Sequence, residues 1–228
     1  MSSHERAMML ISLASANITE GDATQALQAL KESEEIDNSI PETYYLYSLA
    51  YHLKNEQPLA IQSARKAIEL RPTYSKAKNT LGKLLLDQGQ YAEAEKYLKE
   101  AVSDLLFDEA YLAKANLGIL YYKQMKYDKA VPYLTQALRE GGNTTCVAAY
   151  YRGQIYLDKN QYEYALADFT RASKNSCARI TEAHLAKGQT LIRMKKYDQA
   201  RAKMLEIEQL FPLTDASEKA AQYLKEIP

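Results

Sequence analysis

The sequence is poor in the residues from which metal and catalytic sites are commonly built. Its 228 residues include three histidines and two cysteines, and there is no tryptophan. The histidines, His4, His52 and His184, are far apart, and none has Asp, Glu or Cys at the spacing of a metal-ligand set. Glycine-rich phosphate loops, Cys-x-x-Cys pairs and zinc-protease motifs are also missing. The sequence therefore predicts no metal site, no cofactor and no enzymatic activity.

Net charge and long apolar runs are absent as well. Lys plus Arg and Asp plus Glu both number 29, so no overall basic field attracts nucleic acid or an anionic membrane. No stretch approaches the roughly 18 to 20 consecutive apolar residues that a membrane span needs. The first six residues lack the basic segment and apolar core of a signal peptide. We therefore expect no nucleic-acid partner, and no membrane contact through the chain itself.

A small or flexible residue recurs at intervals of 34 to 36 residues along the chain. These residues are Ala14, Ser48, Gly82, Gly118, Gly153 and Gly188. An alanine follows each of them twelve residues later, at Ala26, Ala60, Ala94, Ala130, Ala165 and Ala200. A fixed period of this length is the signature of a helical solenoid.

Residues 41–74 show what one repeat contains. The positions i, i+3, i+4 and i+7 of a first helix are Tyr44, Tyr47, Ser48 and Tyr51, and a second helix has Ala60, Ala64 and Ala67 on one face. Asn55 lies between them, where a left-handed residue can end the first helix. The equivalent positions in the other repeats are Gly21, Gly89, Met125, Asn160 and Lys195. Each repeat is therefore predicted to be an antiparallel helical hairpin.

These patterns predict an all-α fold, a right-handed superhelical solenoid of six helical hairpins followed by a C-terminal capping helix. The repeats are predicted at residues 7–40, 41–74, 75–110, 111–145, 146–180 and 181–213, and the capping helix at 214–228. Residues 1–6 are expected to be disordered or foreign to the natural chain. The 36-residue interval indicates an insertion at residues 104–109.

The two cysteines occupy the first and the thirty-second position of repeat five. The start of the first helix and the end of the second lie at the same edge of an antiparallel hairpin, so Cys146 and Cys177 should be neighbours. A disulfide is geometrically reasonable, and two free thiols that lie close together are the alternative. A disulfide would indicate an oxidising compartment.

The functional surface of such a solenoid is typically its concave side, which the first helices of successive repeats line. The repeat register places there Met8, Ile11, Tyr45, Leu49, His52, Asn79, Lys83, Leu86, Ile119, Tyr122 and Tyr150. Apolar and aromatic residues dominate, which favours a partner segment with its own apolar stripe. Some side chains, especially Tyr150 and also Leu185, are expected to pack between repeats instead. Charge substitutions at Ile11, Tyr45 or Leu49 should abolish partner binding without loss of helix.

The repeated motifs resemble the tetratricopeptide repeat, a unit of 34 residues with a Leu-Gly, Tyr, Ala, Phe/Leu, Pro skeleton. The resemblance rests on Leu81-Gly82, Leu117-Gly118, Tyr51, Tyr156 and the six alanines named above. It covers residues 7–213, and Tyr44 once takes the place of the consensus tryptophan. It implies a non-catalytic scaffold for protein–protein interactions.

Within this family the chain is similar to the pilotin lipoproteins of type IV pilus systems. The similar features are six repeats in a chain of this size, the longer connection before Tyr111, and the closing Leu210-Phe211-Pro212. The similarity implies a periplasmic, outer-membrane-associated monomer that binds a secretin subunit, with membrane contact only through a lipid anchor that this sequence does not contain. The alternative is a cytosolic adaptor or regulator of the same family that binds another peptide segment.

Overall fold

The computed structural model describes residues 2–142 and 145–228, and all regular structure within them is helical. The α-helices are α1 (Ser3–Glu20), α2 (Ala23–Ile36), α3 (Pro41–Leu53), α4 (Gln57–Leu70), α5 (Ser75–Asp87), α6 (Tyr91–Ser103), α7 (Ala110–Lys123), α8 (Tyr127–Glu140), α9 (Cys146–Asp158), α10 (Tyr162–Ala172), α11 (Thr181–Arg193), α12 (Tyr197–Leu210) and α13 (Asp215–Glu226). A 3₁₀ turn occupies Asn175–Cys177. The predicted all-α class is confirmed. The chain divides into two compact units, Met1–Ala113 and Lys114–Pro228.

Unit 1 consists of three consecutive hairpins, in which α1 packs on α2, α3 on α4 and α5 on α6. Helix α1 also contacts α3 directly. The ring of Tyr45 on α3 lies 5.3 Å from that of Tyr74, the residue before α5, measured between centroids. Arg65 on α4 forms an ion pair with Glu93 on α6. Helices α1, α3 and α5 therefore form one layer of unit 1, and α2, α4 and α6 form the other.

Unit 2, described by itself, also consists of paired helices, from α7 to α12, and ends with α13. Helix α9 packs on α10, and α11 packs on α12. Lys114, near the start of α7, binds Glu140 at the end of α8, so these two helices are antiparallel. Helix α13 packs on α12 and places Ala216 and Ala220 in the same apolar cluster as Ile207. The chain thus has the helical-repeat architecture that its period predicts.

The first helix of each hairpin is followed by a residue in the left-handed conformation. These residues are Gly21, Asn55, Gly89, Met125, Asn160 and Lys195, with φ between 55° and 84°. They are the reversal positions that the sequence predicts. Glycine adopts this conformation without steric cost, whereas a residue with a Cβ atom is destabilised there by roughly 1 kcal/mol.

The N-terminus differs from the prediction because α1 begins at Ser3. The Ser2 hydroxyl accepts a hydrogen bond from the backbone N–H of Glu5 (3.2 Å), and the Glu5 carboxylate accepts one from the Ser2 backbone N–H (2.6 Å). This reciprocal capping box satisfies two backbone donors that the helix itself leaves unpaired. Residues 3–6 are therefore helical rather than disordered, and the alternative that residues 1–6 are foreign to the natural chain stays a prediction. The boundaries of the six repeats stay predictions.

Four of the recurring small residues are glycines that face a large side chain on the second helix of the same hairpin. A Cβ atom on Gly82 would lie 2.6 Å from Leu98, and one on Gly153 would lie 2.8 Å from Phe169. Gly118 faces Leu134 in the same way. Real Cβ contacts of this length do not occur, so glycine lets the two helices of a hairpin approach closely.

Gly118→Ala is expected to destabilise the protein. The new methyl group would lie 2.5 Å from Leu134 Cγ and 3.2 Å from the Leu134 backbone nitrogen, and neither atom moves easily. We expect a net loss of about 1 to 3 kcal/mol of unfolding free energy from overpacking, even though alanine favours a helix by about 1 kcal/mol over glycine. Urea unfolding followed by circular dichroism measures the loss.

Gly188→Ala provides the matched control. Its methyl group would meet mainly the terminal Cε and Sδ atoms of Met204, at 2.6 and 3.1 Å, and this flexible side chain can move aside. We expect Gly188→Ala to be close to neutral. Equal losses in Gly118→Ala and Gly188→Ala would contradict the argument from close helix packing.

Candidate functional site

The layer of unit 1 formed by α1, α3 and α5 carries six of the predicted groove residues with exposed surface. We call this the α1–α3–α5 surface, and its predicted members are Met8, Tyr45, Leu49, His52, Asn79 and Lys83. Met8 is 39% exposed and Lys83 is also exposed, whereas the other four are half-buried. Side chains of three neighbouring helices are thus available to a partner along one layer.

Three other predicted groove residues belong to the interior. Ile11 is 6% exposed, Leu86 is 2% exposed and Ile119 is 8% exposed. Ile11 packs in the apolar cluster that includes Leu46 and Tyr47 of α3, because α3 lies against α1 at this point. These three side chains cannot form the contact surface of a partner. Because a charge at Ile11 would be buried, we expect it to destabilise the fold rather than to leave the helix content unchanged.

The two predicted groove tyrosines of unit 2 take part in ring contacts within that unit. Tyr122 stacks on Tyr127 with centroids 5.9 Å apart and also contacts Tyr151 at 5.0 Å. Tyr150 contacts Phe169 of the core at 6.0 Å. Leu185 packs against the apolar cluster around Met204. Because of these contacts, a smaller part of the surface of each tyrosine ring can touch a partner than the repeat register predicts.

The aromatic part of the α1–α3–α5 surface is held in place by a charged pair. The Arg71 guanidinium lies 4.9 Å from the centroid of the Tyr74 ring and donates two hydrogen bonds to the Glu42 carboxylate, at 2.6 and 3.0 Å. Tyr74 in turn contacts Tyr45. Burial raises the pKa of Tyr45 and the pKa of Tyr74, so both phenols stay neutral at physiological pH. The result is a preorganised, uncharged aromatic wall.

Polar members of the same surface are held by neighbours on their own chain segment. The His52 ring Nδ1 lies 3.2 Å from the side-chain nitrogen of Gln57. Lys83 Nζ lies 3.0 Å from the Asp87 carboxylate, one helical turn further along α5. The lysine charge is therefore paired, and the surface offers mainly aromatic and apolar contact.

A concave feature that the sequence does not predict lies in unit 1 between α2, α3 and α4. It is a pocket of about 530 Å³, which we call the tyrosine pocket. Its lining includes Glu34, Tyr44, Tyr47, Tyr51, Leu59 and Lys66. Helical spacing placed the three tyrosines on one face of α3, but spacing alone does not distinguish a core position from the floor of a pocket.

The cysteine pair of unit 2 is bonded. A disulfide joins Cys146 at the start of α9 to Cys177 in the 3₁₀ turn after α10, with the Cα atoms 5.4 Å apart. The prediction from the hairpin geometry is confirmed, and the alternative of two free thiols is wrong.

Comparison with protein families agrees with this architecture. The family model of the tetratricopeptide repeat matches residues 79–143 and 150–213, and a second model of the same repeat matches residues 41–74. The first model alone covers more than half of the chain. This chain belongs to the tetratricopeptide repeat family. The family is one of protein-interaction scaffolds, whose stacked repeats present an extended binding surface.

The curated relatives of this tetratricopeptide chain have different names, and each is longer than the part that matches this chain. Human antiviral innate immune response effector IFIT1 is 33% identical in an alignment of 117 positions, which covers 46% of this chain and 23% of that protein. The chain spans between 23% and 34% of the length of four curated relatives that it matches.

Two solved structures extend over nearly all of the chain. The structure of Pseudomonas aeruginosa PilF has a TM-score of 0.81 at 22% identity and covers 98% of this chain and 100% of its own. PilW, described as a widely conserved type IV pilus biogenesis factor, has a TM-score of 0.84 at 18% identity, with coverage of 94% and 98%. At these identities the likeness shows the tetratricopeptide fold.

Membrane-spanning helices and metal-binding clusters are absent from the part of the chain that the structure describes. Within residues 2–142 and 145–228, no helix is both long and apolar enough to cross a membrane. The same residues contain no group of three or more His, Cys, Asp or Glu side chains placed to hold a metal ion.

Proposed function

We propose that the chain is a non-catalytic interaction scaffold that binds an apolar protein segment on the α1–α3–α5 surface. The observation that carries this proposal is the fixed aromatic contact between Tyr45 and Tyr74, in the same layer as the half-buried Leu49 and the exposed Met8. Large, rigid aromatic side chains beside apolar ones are typical of the few residues that dominate binding energy. Because Arg71 already holds Tyr74, little side-chain entropy is lost when a partner binds.

The partner we propose is a segment of a secretin subunit in type IV pilus assembly, as for a pilotin. The likeness to PilF and PilW along the full length of those structures supports this assignment. So does the predicted division into six repeats from residue 7 to residue 213. The protein would then act as a monomer at the outer membrane, with membrane contact through a lipid anchor.

The disulfide supports the periplasm over the cytosol as the place of action. Disulfides persist in oxidising compartments, including the bacterial periplasm, and are rare in the reducing cytosol. The bond between Cys146 and Cys177 joins the start of α9 to the 3₁₀ turn after α10 within unit 2. The same bond disfavours the alternative of a cytosolic adaptor.

Binding of a purified secretin subunit to the full chain tests the proposal. We expect Met8→Glu and Tyr45→Ala each to weaken binding by roughly thirtyfold, which corresponds to about 2 kcal/mol for a residue at the centre of an interface. Calorimetry measures the dissociation constant, and circular dichroism confirms that the helices remain. Gln28→Glu, on the exposed side of α2 in the other layer, is the matched control and should bind as the wild type does.

The possible outcomes separate the two parts of the proposal. Wild-type affinity in both Met8→Glu and Tyr45→Ala would contradict the surface assignment. Failure of the wild-type chain to bind a secretin subunit would contradict the pilus assignment. In that case, binding of another apolar peptide that Tyr45→Ala abolishes would leave the scaffold function standing.

A further inference from the structure

The tyrosine pocket contains a carboxylate that is oriented by two phenols. Tyr44 donates a hydrogen bond from its hydroxyl to Glu34 Oε1 at 3.0 Å, and Tyr47 donates one to Glu34 Oε2 at 3.1 Å. The Tyr44 hydroxyl also lies 3.1 Å from the Asn38 carbonyl oxygen. Burial, followed by the effect of Glu34, raises the pKa of Tyr44 to about 12, and the pKa of Tyr47 is raised by the same causes. Both phenols are therefore protonated donors at neutral pH.

The charge of Glu34 has no cationic partner among residues 2–142 and 145–228. Two cations line the same pocket, but each is paired with another carboxylate. Lys66 Nζ lies 3.0 Å from Glu69, and Arg65 forms two hydrogen bonds with Glu93, at 2.6 and 2.8 Å. A carboxylate accepts about four hydrogen bonds, so Glu34 retains acceptor capacity beyond its two tyrosines.

Aromatic rings form the floor of the pocket beside this carboxylate. The Tyr47 ring stacks on Tyr51 with centroids 5.7 Å apart and an interplanar angle of 13°, and Tyr44 lies 6.3 Å from Tyr47. The face of an aromatic ring attracts a cation. Leu59, which is 40% exposed, adds an apolar contact on the α4 side. A negative group, aromatic faces and an apolar wall thus meet in one pocket.

We propose that the tyrosine pocket binds an arginine side chain of a partner protein. The guanidinium would donate to the free acceptor positions of Glu34 and stack on the tyrosine rings, while the aliphatic stem would lie against Leu59. The pocket lies between α2, α3 and α4, and none of its lining residues belongs to the α1–α3–α5 surface, so this site is separate from that surface and independent of the function proposed for it.

Arginine fits these observations better than the other cations do. Its planar fork donates several hydrogen bonds while its face stacks on aromatic rings, so it can use the carboxylate and the phenol rings together. A lysine ammonium is a more strongly hydrated point charge. A quaternary ammonium has no N–H donor and would leave the remaining acceptor positions of Glu34 unused. The volume of about 530 Å³ is within the range of ligand pockets and leaves room for a neighbouring residue of the partner.

The experiment is a nuclear magnetic resonance titration of the full chain with blocked tripeptides. The probe is N-acetyl-Gly-Arg-Gly-amide, and its neutral isostere contains citrulline in place of arginine. We expect the arginine peptide to shift the ring signals of Tyr44, Tyr47 and Tyr51, and the citrulline peptide to bind at least about tenfold more weakly, since hydrogen bonds between charged groups are the stronger ones.

Two variants and one control test which side chains bind the arginine peptide. Glu34→Gln keeps the shape of the side chain and should weaken arginine-peptide binding by about tenfold. Tyr51→Leu removes one ring and leaves Glu34 in place, and should weaken it by about threefold. Glu35→Gln, the exposed neighbour on α2, is the matched control and should bind like the wild type. Circular dichroism establishes that each variant is folded.

Several results of these titrations would contradict the arginine site. The proposal is overturned if the citrulline and arginine peptides bind equally, if Glu34→Gln and Glu35→Gln behave alike, or if no tyrosine signal shifts. Tighter binding of tetramethylammonium than of the arginine peptide would also overturn it, and would identify a site for quaternary ammonium groups instead.

Discussion

Replacing Cys146 and Cys177 together by serine is expected to lower the unfolding free energy of unit 2 by about 3.7 kcal/mol in the chain-entropy model. The bond spans a sequence separation of 31 residues, and the reduced unfolded chain gains the freedom that this closed loop removes. Cys177 is 3% exposed, so a serine hydroxyl at that position would also be buried in place of sulfur. Both effects act in the same direction.

Urea unfolding of the wild type and the double serine variant, each with and without reductant, measures this loss. The wild type should lose stability on reduction, whereas the double variant should be insensitive to reductant. A loss below about 1 kcal/mol would contradict the assignment of a stabilising bond, since removal of a native disulfide typically costs 2 to 5 kcal/mol.

Asp168→Asn is expected to have the next largest effect, a loss of about 3 kcal/mol, because it leaves a mostly buried guanidinium without its counter-charge. Arg152 donates from Nε and from one terminal nitrogen to the two oxygens of Asp168, both at 2.7 Å, and donates from the other terminal nitrogen to Thr135 at 2.9 Å. The Asp168 side chain is 7% exposed and that of Arg152 is 18% exposed. Solvent therefore screens this pair little.

Asp128→Asn is the matched control for the same chemical change. Asp128 is 98% exposed and lies 3.3 Å from Lys159, so its replacement should cost no more than about 0.5 kcal/mol. Urea unfolding of both variants gives the comparison. Losses that agree within 1 kcal/mol would show that the Arg152 pair is not effectively buried. Replacing Arg152 by Met and Asp168 by Leu together should recover much of the loss, because no unpaired charge then remains.

The sequence predicts those features that depend on spacing within one repeat. The hairpins, the reversal residues and the disulfide all follow from a period that fixes which positions of a hairpin are adjacent. The helix start at Ser3 was predictable too, since Ser2 and Glu5 have the spacing of a capping box.

Features that depend on the packing of neighbouring repeats do not follow from that spacing. Helical periodicity places Ile11 and Met8 on one side of α1, but only the contact with α3 decides that Ile11 is buried and that Met8 is not. The tyrosine pocket depends on the distance between α2 and α4, which belong to different hairpins. The sequence does not identify the binding partner either, because proteins that share this fold have different names and lengths.

The close pairing of a glycine with a large side chain also limits how such repeats can recombine. Gly118 and Leu134 are sixteen residues apart, and the fully buried Ser48 and Ala64 have the same separation in repeat two. Genetic recombination with a crossover inside a hairpin could place a leucine opposite Ser48, which would crowd the two helices. It could also place an alanine opposite Gly118, which would leave a cavity. A crossover in the connection between hairpins keeps each pair intact. New arrays assembled from these repeats should therefore be joined at the inter-hairpin connections, with each hairpin inherited whole.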